Sequence, residues 1–424
     1  MDPCDRPDGS GMSTPARWAP HLAEFRADPY PFYAALREAD PVHRVDDWSV
    51  VLTRYDDVHR VLRDPGYSRD IESSSARPVD DDPITARRRQ RRGTDEEANA
   101  AKSILNLDPP DHTRLRRLVT QAFTPRAIDR LRAATETMVD DILDTAAERG
   151  SMELIDELAF PVPFRVISTM LDMPMDRADD MRDWSQALTA TLEPTATLDD
   201  FDAADAAIEQ LIPHLVEVIE HRRHNLGDDV VSALITAEEE GDRLSLPELI
   251  SFVVLLYVAG HETTVNLIGN GMLALLENPD EMQRWRSDPA LDKVAVDELL
   301  RFNGPVQQTV RVPMTPVTFA GTDGTEIHVD AGQAVITCLG AANHDPAVFA
   351  NPARVQLDRP NAHRHMSFAS GIHYCLGASL AKMEATVALS RIIRRFDTIE
   401  QAEPASWRDR LTIRGVDRLV MNLE

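Results

Sequence analysis

The stretch "FASGIHYCLG", residues 368–377, sets one cysteine between two glycines and beside a histidine, in a chain that has only three cysteines. Directly after it, "LGASLAKMEATVALSRIIRRF" (376–396) has the period of an amphipathic helix, so Cys375 stands at or just before a helix N-terminus. The dipole there favours thiolate, the form that attacks electrophiles and binds metals. Three readings of the sulfur compete: a buried inert thiol, a nucleophile with His373 as its base, or a soft metal ligand. Zinc is poorly served, because His365, His373 and Cys375 lack a second Cys-x-x-Cys half. Gly371 and Gly377 remove side chains where a large flat ligand would lie against the backbone, and axial thiolate ligation of haem iron fits that demand. Spacing alone leaves the choice open.

Composition narrows the surroundings. Acidic residues outnumber basic ones by 71 to 45 over 424 residues, a net charge of -26, which excludes general attraction to nucleic acid or anionic lipid. Cys4, Cys338 and Cys375 are too few for a disulfide framework and suit a reducing compartment. The longest apolar run, "FVVLLYVAG" (252–260), is shorter than a membrane span, so a soluble, cytoplasmic protein is expected. The arginine bias, with lysine only at 102, 293 and 382, and the abundant alanine suggest a bacterial source of high GC content.

Helical periodicity dominates, as in "RAIDRLRAATETMVDDILDTAAERG" (126–150) with its closing glycine. Period-2 runs at 41–55, 326–339 and 409–423 read as short hairpins. The class is mainly α with small β-sheets, as a flexible tail over 1–17 and a single domain over 18–424. The charged stretch between Asp70 and Ala101 reads as a solvated or disordered loop, and 189–204 as a mobile connection.

The strongest helix signal begins at "LSLPELISF", where Ser245 and Glu248 fit a capping box, Pro247 suits the first turn and Leu244 can staple to Leu249. It runs to "ENP" (277–279), roughly 50 Å at 1.5 Å per residue. Its apolar middle holds "AGHETT" (259–264), and Glu262, Thr263 and Thr264 are costly there unless satisfied. Either the threonines back-bond to the preceding turn and Glu262 pairs with a distant arginine, or Gly260 opens room for a small molecule and Glu262 with Thr263 passes protons into a dry pocket.

The cysteine stretch resembles the haem-thiolate monooxygenases of the cytochrome P-450 family, above all the soluble bacterial members. The family pattern Phe-x-x-Gly-x-His/Arg-x-Cys-x-Gly is matched by Phe368, Gly371, His373, Cys375 and Gly377. Other family marks follow in order: "DPPDHTRLRRLV" (108–119), "AGHETT", "DELLR" (297–301), "QQTVRVP" (307–313) and "LDRP" (357–360). The resemblance implies the cytochrome P-450 fold, with haem b held between the long central helix and the cysteine loop. Cys375 would be the axial ligand, Phe368 would pack beside the sulfur, and Ala259 and Gly260 would lie against the cofactor. His112, Arg116, Arg311 and His373 would meet the propionates, and Glu262 with Thr263 would deliver protons. Glu298, Arg301 and Arg359 would lock the core. Ala369 stands where the family usually has glycine.

The same resemblance implies insertion of one oxygen atom from dioxygen into an apolar small molecule, by hydroxylation or epoxidation. Azole-type inhibitors suit such a pocket. No Gly-x-Gly-x-x-Gly site or flavin domain is apparent, so NAD(P)H would act only through a ferredoxin reductase and a ferredoxin, with Arg114, Arg117, Arg364 and Lys382 as a docking patch. A monomer is expected. A peroxide-driven peroxygenase and a non-catalytic haem sensor or carrier are the alternatives. Substrate contacts are expected before Leu105, at 187–210, at 255–263, at 306–310 and at 413–416.

Overall fold

Ser245 starts the element around which the chain is arranged. Its side chain accepts from the Glu248 N–H while Glu248 reaches back to the Ser245 N–H, so both halves of the capping box form and Pro247 occupies the first turn. From that cap the central helix runs Leu246–Glu277, about 48 Å long. The structure is a computed structural model and describes residues 16–70, 83–84, 86–87, 102–120, 123, 125–175, 177–236 and 243–424. The readings of a tail over 1–17 and of a charged loop over 70–101 fall almost wholly outside them.

Helices surround the central one. Pro161–Leu171, Ala295–Asn303 and Ala378–Arg395 pack on it directly, and Pro125–Arg149 packs on the last of these. Gly150 closes the Pro125–Arg149 helix at φ +70°, the left-handed conformation that glycine adopts most readily. Apolar side chains of these helices form one large core, in which the C-terminal half of the central helix, Thr264 to Leu275, is buried. This burial explains a helix with the length and hydropathy of a membrane span, since 67% of its most apolar window lies inside the protein.

The sheets sit to one side. Val42–Asp46 and Ser49–Leu52 form the expected hairpin, and Ser49–Leu52 continues parallel to Ala334–Cys338, then Gln308–Pro313 and Tyr67–Ser68. The other two expected hairpins do not form. Glu326–Val329 pairs with Val317–Ala320, while Ala334–Cys338 joins the five-stranded sheet. Val416–Arg418 pairs with Ser406–Trp407, whereas Val420–Leu423 lies between Ser151–Glu153 and Ile399–Gln401. Alternation identifies strands, and the partner is chosen by which buried face each strand must cover. The connection after helix Ala178–Ala190 is also not loose, because Glu193 is buried there and accepts from the Leu411 N–H near the C-terminus.

Candidate active site

The cysteine loop is closed by its own backbone. The Cys375 N–H donates to the Phe368 carbonyl at 3.0 Å, Tyr374 N–H to Gly371 at 3.1 Å and Ala369 N–H to Met366 at 2.7 Å, before helix Ala378–Arg395 begins. Phe368 packs between His365 and Tyr374, with ring centroids 5.4 and 6.2 Å away. The Cys375 side chain is accessible, yet it is deep enough that burial pushes its thiol up, against the Gly377 N–H and Arg116, which pull it down. The free sulfur is therefore a thiol, and the thiolate expected from the helix terminus needs a bound metal to stabilise it.

The two glycines differ. A Cβ at Gly377 would meet nothing within 4 Å, so that position faces open space. Gly371 does not: it sits at φ +74°, and a Cβ there would strike the Leu62 carbonyl. The expectation that Gly371 makes room for a ligand is corrected, since the chain's own backbone fills the space.

Beside the loop, four basic side chains converge. The His112 and His373 rings lie 4.2 Å apart, Arg116 donates to the Tyr374 carbonyl at 2.7 Å, and Arg311 donates to Thr309 Oγ1 and the Val310 carbonyl. Desolvation lowers all four, Arg311 to about 9 and His373 to about 3, the latter further depressed by His112, Arg311, Arg69 and Arg116. None is ion-paired to a carboxylate among the described residues, and His373 Nε2 is buried without a hydrogen-bond partner. Arg69 was missed from sequence. It follows the two-residue strand Tyr67–Ser68, too short to show periodicity, which pairs with the strand carrying Arg311.

The central helix presents its polar residues in different directions. Ala259 is exposed in mid-helix, but Gly260 faces Ile167, whose Cδ1 would lie 3.0 Å from an added Cβ. Gly260 thus allows close approach of helix Pro161–Leu171, which corrects the expectation that it opens room for a ligand. The Thr263 hydroxyl donates to the Ala259 carbonyl at 3.1 Å, and Glu262, almost fully buried, is ion-paired with Arg408. The plainer of the two readings of "AGHETT" therefore describes this state. His261 also escaped the sequence reading: it is fully buried, 3.0 Å from Ser185 Oγ and 2.7 Å from the Tyr257 carbonyl.

Elsewhere, Arg114 pairs with Glu248, Lys382 with Asp297 at 2.7 Å, and Arg364 lies over Tyr55. Of the segments expected to contact substrate, three meet. Val306 bridges to Ile413, Gln308 Nε2 donates to Thr412 Oγ1 at 3.0 Å, and that hydroxyl donates to the Leu192 carbonyl at 3.2 Å. Glu298 accepts from Arg301 at 2.7 and 2.9 Å and from Arg359 at 3.0 Å, all three buried.

Among the described residues, one accessible cysteine beside basic side chains without a paired carboxylate has the character of a haem-thiolate site. His373 Nε2, the open face of Gly377 and the carboxylate-free basic cluster all fit a flat metal chelate bearing two anionic arms. Among the described residues no three His, Cys, Asp or Glu side chains gather as a metal cage.

The family model for cytochrome P-450 matches residues 47–410, and the chain belongs to that family. It is 40% identical to Cytochrome P-450 107B1 of Saccharopolyspora erythraea, over 93% of this chain and 95% of that protein. It is 38% identical to the monooxygenase PikC of Streptomyces venezuelae, over 93% and 91% respectively, and 36% identical to vitamin D(3) 25-hydroxylase of Pseudonocardia autotrophica, over 94% of each. Among solved structures, P450BioI in complex with a hexadecenoic acid-ligated acyl carrier protein superposes with a TM-score of 0.84 at 30% identity, covering 95% of this chain and 99% of that one. The chain is thus a bacterial P-450 monooxygenase, an oxidoreductase of a family that carries cysteine-ligated haem.

Proposed function

We propose that the chain binds haem b through Cys375 and inserts one oxygen atom from dioxygen into an apolar small molecule, with electrons from a ferredoxin and its reductase. The observation that carries this reading is the cluster of buried His112 and Arg311 with half-buried Arg116 and His373, whose missing anions two propionates would supply. The bound haem iron supplies activation of dioxygen. The chain's own residues do the rest. Cys375 would hold the iron as a thiolate, and Gly377 faces open space where a side chain would otherwise stand. Thr263 presents its hydroxyl from the exposed side of the central helix, and Glu262 is the nearest acid in sequence, available once Arg408 releases it.

An apolar substrate is supported by what the relatives' names state: a vitamin D(3) hydroxylase, a polyketide-biosynthesis enzyme and a protein solved with a fatty acyl carrier. Val306, Thr309, Val310, Leu255 and Ile413 are the candidate contacts. The reading is tested by reduction under carbon monoxide, which should give the strongly red-shifted Soret band of thiolate ligation. Cys375→Ala must abolish that band. Product formation with ferredoxin, reductase and NAD(P)H, against hydrogen peroxide alone, separates the monooxygenase from a peroxygenase. An unreactive haem under both conditions would instead mark a sensor or carrier.

A further inference from the structure

The C-terminal turn at 408–414 touches three parts of the molecule at once. Arg408 pairs with Glu262 on the central helix and approaches exposed Asp417 at 3.4 Å. Two residues on, Arg410 donates to Thr189 Oγ1 at 2.9 Å and to the Gln186 carbonyl at 3.0 Å, on helix Ala178–Ala190. The N–H groups of Leu411 and Thr412, each at 2.8 Å, and of Ile413 at 3.1 Å all donate to the carboxylate of Glu193, in the turn after that helix. The feet of the turn are fixed independently. Asp409 binds Arg26, Arg414 binds the Arg26 and Ala27 carbonyls, and Val416 N–H donates to Asn270 on the central helix.

Between those feet, Glu193 is the side chain that gathers the turn's backbone donors and ties them to the 186–193 segment. Hydrogen bonds to a charged acceptor are each worth about 1.5–3 kcal/mol, and here one buried carboxylate gathers three successive backbone donors. The turn's other backbone bonds are Gln307 N–H to the Thr412 carbonyl and Arg414 N–H to the Pro305 carbonyl, which tie it to 305–307, and Arg408 N–H to the Gly415 carbonyl and Arg410 N–H to the Arg408 carbonyl, which lie within it. Where Glu193 and Arg410 hold the turn, Arg408 is presented to Glu262. The segment bearing Glu193 belongs to the stretch 187–210 expected over the substrate.

We propose that Glu193 and Arg410 are positioning residues that act on Glu262 through Arg408: docking of the 186–193 segment on the C-terminal turn seats the Arg408–Glu262 pair, and displacement of that segment releases it. The release of the proton-delivering acid is thereby tied to the movement of a segment over the substrate. The inference rests on the proposed role of Glu262 in proton delivery.

The test uses the haem-loaded protein and two readouts. Hydrogen exchange of the Leu411, Thr412 and Ile413 amides should accelerate tenfold or more in Glu193→Ala. Glu193→Gln, which keeps an acceptor oxygen, should show a smaller acceleration, and it replaces the alanine variant should that one not fold. The second readout is the fraction of NAD(P)H electrons recovered in product and its solvent isotope effect. Glu193→Ala and Arg410→Met should shift both in the same direction as Arg408→Met, and to within about twofold of it. Unchanged exchange at 411–413 in Glu193→Ala would overturn the proposal. So would faster exchange with wild-type electron recovery and isotope effect, where Arg408→Met changes them; the role of Glu262 would then stand. If Glu262→Gln and Arg408→Met both leave recovery and isotope effect unchanged, the role of Glu262 fails and takes the proposal with it.

Discussion

Two clusters of basic side chains, one buried and one partly so, are compensated in opposite ways. Arg301 and Arg359 share the carboxylate of Glu298, which also accepts the Gln356 N–H, and their remaining donors go to the carbonyls of Asn343, Ala350, Pro352 and Arg354. His112, His373, Arg116 and Arg311 have no such carboxylate among the described residues, and burial drives all four toward their neutral forms. The first group carries its anion in its own sequence, and its product is rigidity. The second keeps its positive potential for an anion from outside, so a site is marked here by what its charges lack rather than by how many there are.

The comparison is broken most directly at Glu298. Glu298→Ala leaves two buried guanidinium groups uncompensated, and a loss of about 3–5 kcal/mol is expected. Urea unfolding measures it, and a loss below about 1 kcal/mol would mean that the network is worth no more than a surface pair.

Glu384 sharpens the comparison with the opposite charge. Its carboxylate lies buried on the cysteine helix without a hydrogen-bond partner among the described residues, and burial raises it well above the usual carboxylate range. The folded state therefore holds a proton that the unfolded state releases. Stability is fully present below the unfolded value and falls as pH rises from there toward the raised folded one. Glu384→Gln removes that fall, and a gain of about 1–3 kcal/mol at neutral pH is expected. Parallel unfolding curves of the two proteins from pH 4 to 8 would contradict it.

Arg311 should behave unlike Glu298. In the haem-free protein Arg311→Met deletes a charge that nothing compensates, so stability should hold or rise by about 1–2 kcal/mol, while haem retention falls at least tenfold. A loss as large as that at Glu298 would erase the distinction between the two groups. The histidines give the pH signature. With folded values depressed, to about 3 for His373, the unfolded chain binds protons first, so haem-free stability is lost as pH falls below the ordinary histidine range. A small dicarboxylate should offset that loss, because an anion favours the protonated rings. Thermal unfolding against pH, with and without succinate, checks both halves.

What could be read from the sequence follows the same division between local and distant. The capping box at Ser245, the closing Gly150 and the loop before the cysteine helix are local signals, and each forms where its residues predict. Pairings that cross the chain were not legible. Glu262 finds Arg408 across 146 positions, and Glu193 finds the 411–413 amides across about 220. Neither partner carries a pattern that separates it from an ordinary surface charge. The glycines at 260 and 371 were read as space for a ligand because a missing side chain has no direction in sequence. Ile167 and the Leu62 carbonyl occupy those spaces.

Ala369 is the smallest and cleanest departure. It adopts φ +57°, the left-handed conformation expected of the glycine that usually stands there, so the loop keeps its path and the alanine is bent to it. Two bonds impose that path: Ala369 N–H to the Met366 carbonyl, and Cys375 N–H to the Phe368 carbonyl. The left-handed conformation costs an L-residue about 1–2 kcal/mol, and glycine returns roughly 0.5–1 kcal/mol of that in unfolded-chain entropy. Ala369→Gly is therefore expected to stabilise the protein by about 0.5–1 kcal/mol, with the carbon monoxide band unmoved because the loop's course is unchanged. The methyl also packs against the core formed by Leu62, Val58 and Met366. A measured loss of stability on going to glycine would show that this contact outweighs the strain, and that the cysteine loop is held by side-chain packing where a glycine would rely on backbone freedom.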